Sequence, residues 1–174
     1  MKKLLILLST VTALLFTGCS NKEHAPLATV EKVNLERYLG TWYEIARYDQ
    51  FFERGCSNIT ATYSLKEDKT LKILNRCTKE GELSEATGKA YADDETNSKL
   101  KVSFFGPFYG DYWIIMLDEE YSYAVIGTPS REYFWILSRT PKMEKETLDS
   151  ILEKLPSLGY DKSKLIYPVQ DGKP

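Results

Sequence analysis

Gly40-Thr41-Trp42-Tyr43-Glu44-Ile45-Ala46-Arg47 is the stretch against which the rest of the chain is read. It follows a short amphipathic run, Val33 to Leu39, and opens the first strand-like segment. Gly40 permits a sharp turn where a side chain would clash, and Trp42 then carries a large apolar ring towards an interior. Alone, the octapeptide is a glycine turn before a buried tryptophan. What gives it more weight is Arg139, far along the chain.

The chain has 174 residues, enough for one domain with a sizeable core, and shows no internal repeat. A formal charge of −2 carries no basic footprint for nucleic acid. Twelve tyrosines, with Thr, Val and Ile spread through the middle, favour strands. After Gly40–Asp49 comes a loop, 50–55, with two exposed-looking aromatics, Phe51 and Phe52. Ile59, Ala61, Tyr63 and Leu65 then alternate with Asn58, Thr60, Thr62 and Ser64, a period of two. Lys66 to Lys69 turns the chain, and Leu71, Ile73 and Asn75 form one face of the return strand. Segments 85–92, 99–105, 112–118, 121–127 and 132–139 complete eight strands at the spacing of an antiparallel meander. One helix follows, with Thr140 expected as its N-cap, Pro141 in its first turn, and Leu148, Ile151, Leu152 and Leu155 on one side. A last extended segment, Lys164 to Val169, returns to the sheet, its Pro168 suggesting an edge.

Closure removes exposed strand edges, so the expected class is all-β: an eight-stranded antiparallel up-and-down barrel with one C-terminal α-helix packed outside. Such a barrel holds either packed side chains or one small ligand. Its strand pattern alone does not separate the two.

The N-terminus reads as a targeting segment, residues 1–18: Lys2 and Lys3, then an apolar run from Leu4 to Phe16, too short to span a bilayer comfortably. Leu15-Phe16-Thr17-Gly18-Cys19-Ser20 resembles the lipobox of bacterial lipoproteins, although Phe16 stands where that family usually has Leu. The resemblance implies cleavage before Cys19, lipidation of Cys19, and, from Ser20, export to the outer membrane. Residues 19–32 are then expected as a lipidated polar tether and 33–174 as the folded domain. An ordinary signal peptide that happens to contain a cysteine is the alternative.

Gly40-Thr41-Trp42-Tyr43, the region from Tyr112 to Tyr121 around Asp118, and Trp135-Ile136-Leu137-Ser138-Arg139 resemble, in order and spacing, the three signature regions of the lipocalins. The run from Lys101 to Gly110 is similar to the bacterial outer-membrane branch near apolipoprotein D. The resemblance implies a lipocalin barrel whose closed end is sealed by Gly40, Trp42 and Arg139, the guanidinium packing across the indole. It also implies a pocket lined at Tyr63, Asn75, Phe104 and Trp135. Alternation adds Ile73 and Val102, and on the sixth strand Tyr112, Ile114 and Met116, with Trp113 and Ile115 as the opposite-parity choice. The implied ligand is a fatty acid or lysophospholipid, bound for storage or transport at the outer membrane, with the periplasmic side as the expected location. The implied partners are a membrane, reached through the lipid anchor, and in some relatives a second copy in a homodimer. No cofactor is implied.

Cys56 and Cys77 remain after Cys19. Pairing Tyr63 with Leu71 sets Cys56 opposite residue 78, and a bulge near the strand end would bring Cys77 within disulfide reach. Two separate thiols are the alternative. His24, the only histidine, falls in the tether, which excludes His-based catalysis or metal binding inside the barrel. A binding protein rather than an enzyme is therefore expected. The competing readings are a lipocalin-fold enzyme with a Cys77 nucleophile, and an interaction module in which Phe51, Phe52, Phe108 and Tyr109 dock on a membrane or partner.

Overall fold

The period-two alternation folds into a single sheet that closes on itself. The computed structural model describes residues 24–171; the expected signal peptide and Cys19 lie outside the described residues. A four-residue helix, α1 (Leu35–Tyr38), precedes the strands β1 (Gly40–Arg47), β2 (Cys56–Leu65), β3 (Leu71–Lys79) and β4 (Glu82–Ala92). Then follow β5 (Lys99–Ser103), β6 (Gly110–Leu117), β7 (Tyr123–Gly127), β8 (Phe134–Ser138) and the helix α2 (Lys145–Lys154). Each strand pairs antiparallel with the next, and β1 also pairs with β8, so the barrel has no free edge.

Two apolar cores result. Inside, Trp42, Tyr63, Leu71, Ile73, Leu100, Tyr112, Ile114, Ile126 and Leu137 pack together. Outside, Ile115, Val125, Phe134 and Ile136 meet Ile151 of α2 and Leu155 directly after it. Helix α2 thus buries its apolar stripe on the wall formed by β6 to β8.

Three bulges determine which side chains face in. Between Glu44 and Ala46 the β1–β8 register slips, so Ala46 joins the outer core while Glu44 and Arg47 are both buried near one another. Between Ile114 and Met116 the β6–β7 register slips as well. Tyr112 and Ile114 therefore face inward, but Met116, expected to continue that face, packs outside with Trp113 and Ile115. Between Ser57 and Thr60 the β2–β3 register slips, with Asn58 at a positive φ of 52°.

The last bulge also bears on the cysteines. Leu65, rather than Tyr63, pairs with Leu71, because a tight turn is closed by the Lys66 N–H donating to Thr70 O at 2.8 Å. Past the bulge Cys56 lies opposite Lys79, and Cys56 and Cys77 form a disulfide with their Cα atoms 5.5 Å apart.

Two further expectations give way. Helix α2 starts at Lys145 with Glu144 as its N-cap, not at Thr140 and Pro141. The reason is local: Thr140 Oγ1 donates to Lys142 O, holding 140–142 in a turn. Residues 24–32, expected as part of a tether, lie along the barrel instead. Leu27 is buried beside α2, Thr29 bonds Ser98, and the Val30 N–H donates to Ile114 O at 3.0 Å. Leu27 and Val30 carry enough apolar surface to dock a segment of otherwise polar composition.

Candidate ligand-binding cavity

The floor is built first. Gly40 takes a φ of +90°, and a Cβ there would meet Arg139 Nη1 at 3.4 Å. Trp42 is fully buried, its Nε1 donating to Tyr38 O at 2.8 Å. The Arg139 guanidinium lies 3.7 Å from the centre of the Trp42 ring. Its nitrogens donate to Arg37 O at 2.7 Å, Thr41 O at 3.0 Å and Tyr121 O at 3.3 Å. One guanidinium thus ties α1, the start of β1 and the β6–β7 turn across the barrel end.

Above this plug is a cavity of about 430 Å³, open at the other end and of a size that suits a small amphiphile. Tyr63, Ile73, Asn75, Val102, Phe104, Tyr112 and Trp135, all expected from the sequence, line it. Ile114 does not: it is fully buried in the inner core and absent from the lining. Phe104 lies one residue beyond β5, and its ring packs over Gly88, where a Cβ would sit 2.8 Å from the ring.

At the base, three tyrosine hydroxyls form a chain. Tyr63 Oη donates to Tyr112 Oη at 2.9 Å, and Tyr112 Oη meets Tyr38 Oη at 2.8 Å. Burial raises all three hydroxyl pKa values, that of Tyr63 to about 12, so they stay protonated. Higher up, the Asn75 Oδ1 has no protein hydrogen-bond partner.

The sequence reading missed the polar wall. Glu44 and Glu53 both line the cavity and flank buried Arg47, whose Nε lies 3.0 Å from Glu44 Oε1 and 3.5 Å from Glu53 Oε2. The first contact lacks hydrogen-bond alignment, which leaves Arg47 Nε and Glu44 Oε1 without a hydrogen-bond partner; Arg47 Nη1 has none either, while Nη2 donates to Glu53 O. Trp135 Nε1 donates to Glu53 Oε2 at 3.3 Å. Burial, then repulsion from Glu53, pushes Glu44 well above the carboxylate range, with Arg47 opposing; burial also raises Glu53 against Trp135 and Arg47. Uninterrupted alternation sets residues 44 and 47 on opposite faces, and only the bulge unites them, so no periodicity signalled the cluster. Phe52, Tyr109 and Tyr133 line the cavity as well and complete its mouth.

Neither remaining cysteine is a free thiol, because Cys56 and Cys77 are joined. Among the described residues no three His, Cys, Asp or Glu side chains converge to ligate a metal ion.

Comparison with known proteins agrees with this architecture. The profile of the Lipocalin-like domain matches residues 33–170. The chain is 44% identical over 174 residues to the Outer membrane lipoprotein Blc of Vibrio cholerae, covering 98% of this chain and 99% of that one. Against the protein of the same name from Escherichia coli K12 it is 43% identical over 176 residues, covering 99% of both. Apolipoprotein D of Rattus norvegicus is 33% identical, with 95% of this chain and 94% of that one covered. Among solved structures, insecticyanin from Manduca sexta superposes with a TM-score of 0.69 over 83% of this chain and 84% of that one, at 23% identity, which bears on fold alone. With a sealed floor, a cavity open at the other end and a matching profile over residues 33–170, the chain belongs to the lipocalin family.

Proposed function

We propose that this protein holds one single-chain amphiphile, a fatty acid or a lysophospholipid, in the barrel and stores or carries it at the bacterial outer membrane, without catalysis. The observation that carries the reading is the cavity itself: one open end, a sealed floor, and walls of Ile73, Val102, Phe104 and Leu137 interrupted by a few polar groups. Burying about ten methylenes contributes roughly 8 kcal/mol, from which ordering the ligand subtracts a share. A dissociation constant of about a micromolar or weaker follows from the tail alone.

The membrane location draws on the lipobox-like run ending at Cys19 and on relatives whose name is Outer membrane lipoprotein. In this reading residues 1–18 are removed, Cys19 is acylated, and each buried acyl methylene adds about 0.8 kcal/mol to attachment. The Cys56–Cys77 disulfide leaves Cys77 unable to act as a nucleophile, which weighs against the enzyme alternative.

Two measurements test the proposal. Protein extracted under native conditions should release a single-chain lipid in mass spectrometry. Purified protein should bind a fluorescent fatty acid or lysophospholipid saturably and release it to unlabelled competitor. Absence of both refutes the reading.

A further inference from the structure

The two ends of the barrel differ in chemistry. At the floor, the turns 93–98 and 118–122 carry Asp93, Asp94, Glu95, Asp118, Glu119 and Glu120. At the mouth, the loop 104–109 holds no charged residue, and its Phe105 and Phe108 are 82% and 77% exposed. Across the opening, Phe51 on the 51–53 turn is 76% exposed. None of these three rings lines the cavity. They stand outside its rim, on two separate loops and largely open to solvent, Phe51 touching the Phe52 ring edge-on. Exposed apolar rings ringed by polar surface at one end of a molecule mark a contact face.

The path of the N-terminal segment says what that face meets. Ala25 O accepts from Arg131 Nη2 at 2.7 Å, and Arg131 lies in the 128–133 loop at the mouth. From there the segment runs down the wall, reaching the floor where the Val33 N–H donates to Thr96 O at 2.8 Å. The chain therefore enters the described domain at its open end. Only five residues separate Ala25 from Cys19, a reach of at most about 20 Å over six steps. A membrane attached at Cys19 thus lies beside the aromatic mouth, while the acidic floor points away from an anionic leaflet.

We infer that the open mouth of the barrel docks on the lipid bilayer through Phe51, Phe105 and Phe108. A ligand then passes between leaflet and cavity without its acyl chain crossing water. The inference rests on the membrane attachment proposed above, and the test separates the two.

Phe105→Trp places a reporter at the mouth, and Leu65→Trp, at a position 46% exposed beside the floor turn, places one at the opposite end. Both are read against the parent chain, expressed with its own signal segment, purified and added to vesicles of phosphatidylethanolamine and phosphatidylglycerol with brominated or plain acyl chains. The mouth reporter should shift to the blue and lose its added emission in brominated vesicles; the floor reporter should do neither. In parallel, Phe51→Ser/Phe105→Ser/Phe108→Ser should slow uptake of a fluorescent lysophospholipid from vesicles, with its affinity in vesicle-free solution unchanged. Membrane-bound protein with neither reporter quenched, or with the floor reporter quenched, overturns the inference. A blue shift of the mouth reporter that follows protein concentration without vesicles assigns the face to a second copy and overturns it too. Mass spectrometry of the mature N-terminus reads attachment separately: unacylated protein whose mouth reporter is still quenched sinks the attachment and leaves the docking standing.

Discussion

Replacing Arg139 by alanine separates the floor of the barrel from its ligand site. In the structure this guanidinium sits 3.7 Å from the Trp42 ring centre and donates to three main-chain carbonyls. The cation–π contact is worth about 1–2 kcal/mol in this half-buried setting. The carbonyls lie near the surface and regain water when the arginine is gone, so each hydrogen bond adds only about 0.5 kcal/mol. Arg139→Ala should therefore destabilise the domain by about 3 kcal/mol, a large part of the usual 5–15 kcal/mol. Arg139→Lys keeps a cation over the indole but cannot reach three carbonyls at once, and should lose about half as much. Urea unfolding with the disulfide intact reads both, through a lower midpoint at constant slope. Fluorescent-ligand affinity of the folded variants should stay that of the parent, because Arg139 lies at the end away from the mouth. A loss below about 1 kcal/mol, or a well-folded Arg139→Ala with weakened binding, would refute the assignment of this pair to structure alone.

Val102→Trp fills the cavity from its wall and should weaken ligand binding at least tenfold, about 1.4 kcal/mol, with the midpoint of unfolding little moved. Gly127→Ala would drive a Cβ to 2.1 Å from Tyr160 Oη, which is bonded to Thr128, so it should destabilise by about 2–3 kcal/mol, and adding Tyr160→Phe should recover part of that loss in thermal unfolding. Glu44 has a raised pKa, so the folded chain keeps a proton that the unfolded chain releases; stability conferred by this group falls as pH rises from the ordinary carboxylate range towards the raised value, and Glu44→Gln should flatten that decline in a pH series of unfolding midpoints. Cys56→Ser/Cys77→Ser opens a loop spanning a sequence separation of 21 and should lower stability by about 3 kcal/mol, read against the parent with and without reductant.

The features legible in the sequence are those with strict periodicity or an obligatory residue. Alternation through Ile59–Leu65 and the return at Leu71 predicts strands because one face must be buried, and Gly40 before Trp42 predicts a turn because few other residues take that backbone. The pocket positions Tyr63, Asn75 and Trp135 were reachable because resemblance supplied the parity. What the sequence hid was every place where the period breaks. A bulge inserts one residue with no mark in composition, and it moved Met116 outside and united Glu44 with Arg47. Ile114 had the right parity and the wrong depth: alternation says which face a residue takes, not how far it lies from the opening. Thr140 and Pro141 carried good helix-start chemistry, but a local turn used the threonine first. Leu27 and Val30 were overlooked because two apolar residues among polar neighbours leave no periodic trace.

The tyrosine chain at the cavity base has a consequence of its own. Three hydroxyls supply three hydrogens, but the links Tyr63–Tyr112 and Tyr112–Tyr38 consume two. When Tyr112 passes its hydrogen to Tyr38, the spare one sits on fully buried Tyr38, and the base shows a ligand only oxygen lone pairs. When Tyr38 donates instead, the spare hydrogen belongs to Tyr112, which borders the cavity, and the base becomes a donor. Reversing one hydrogen bond, by rotation of the Tyr38 and Tyr112 hydroxyls, therefore changes the polarity met by the tip of a tail, with no heavy atom displaced.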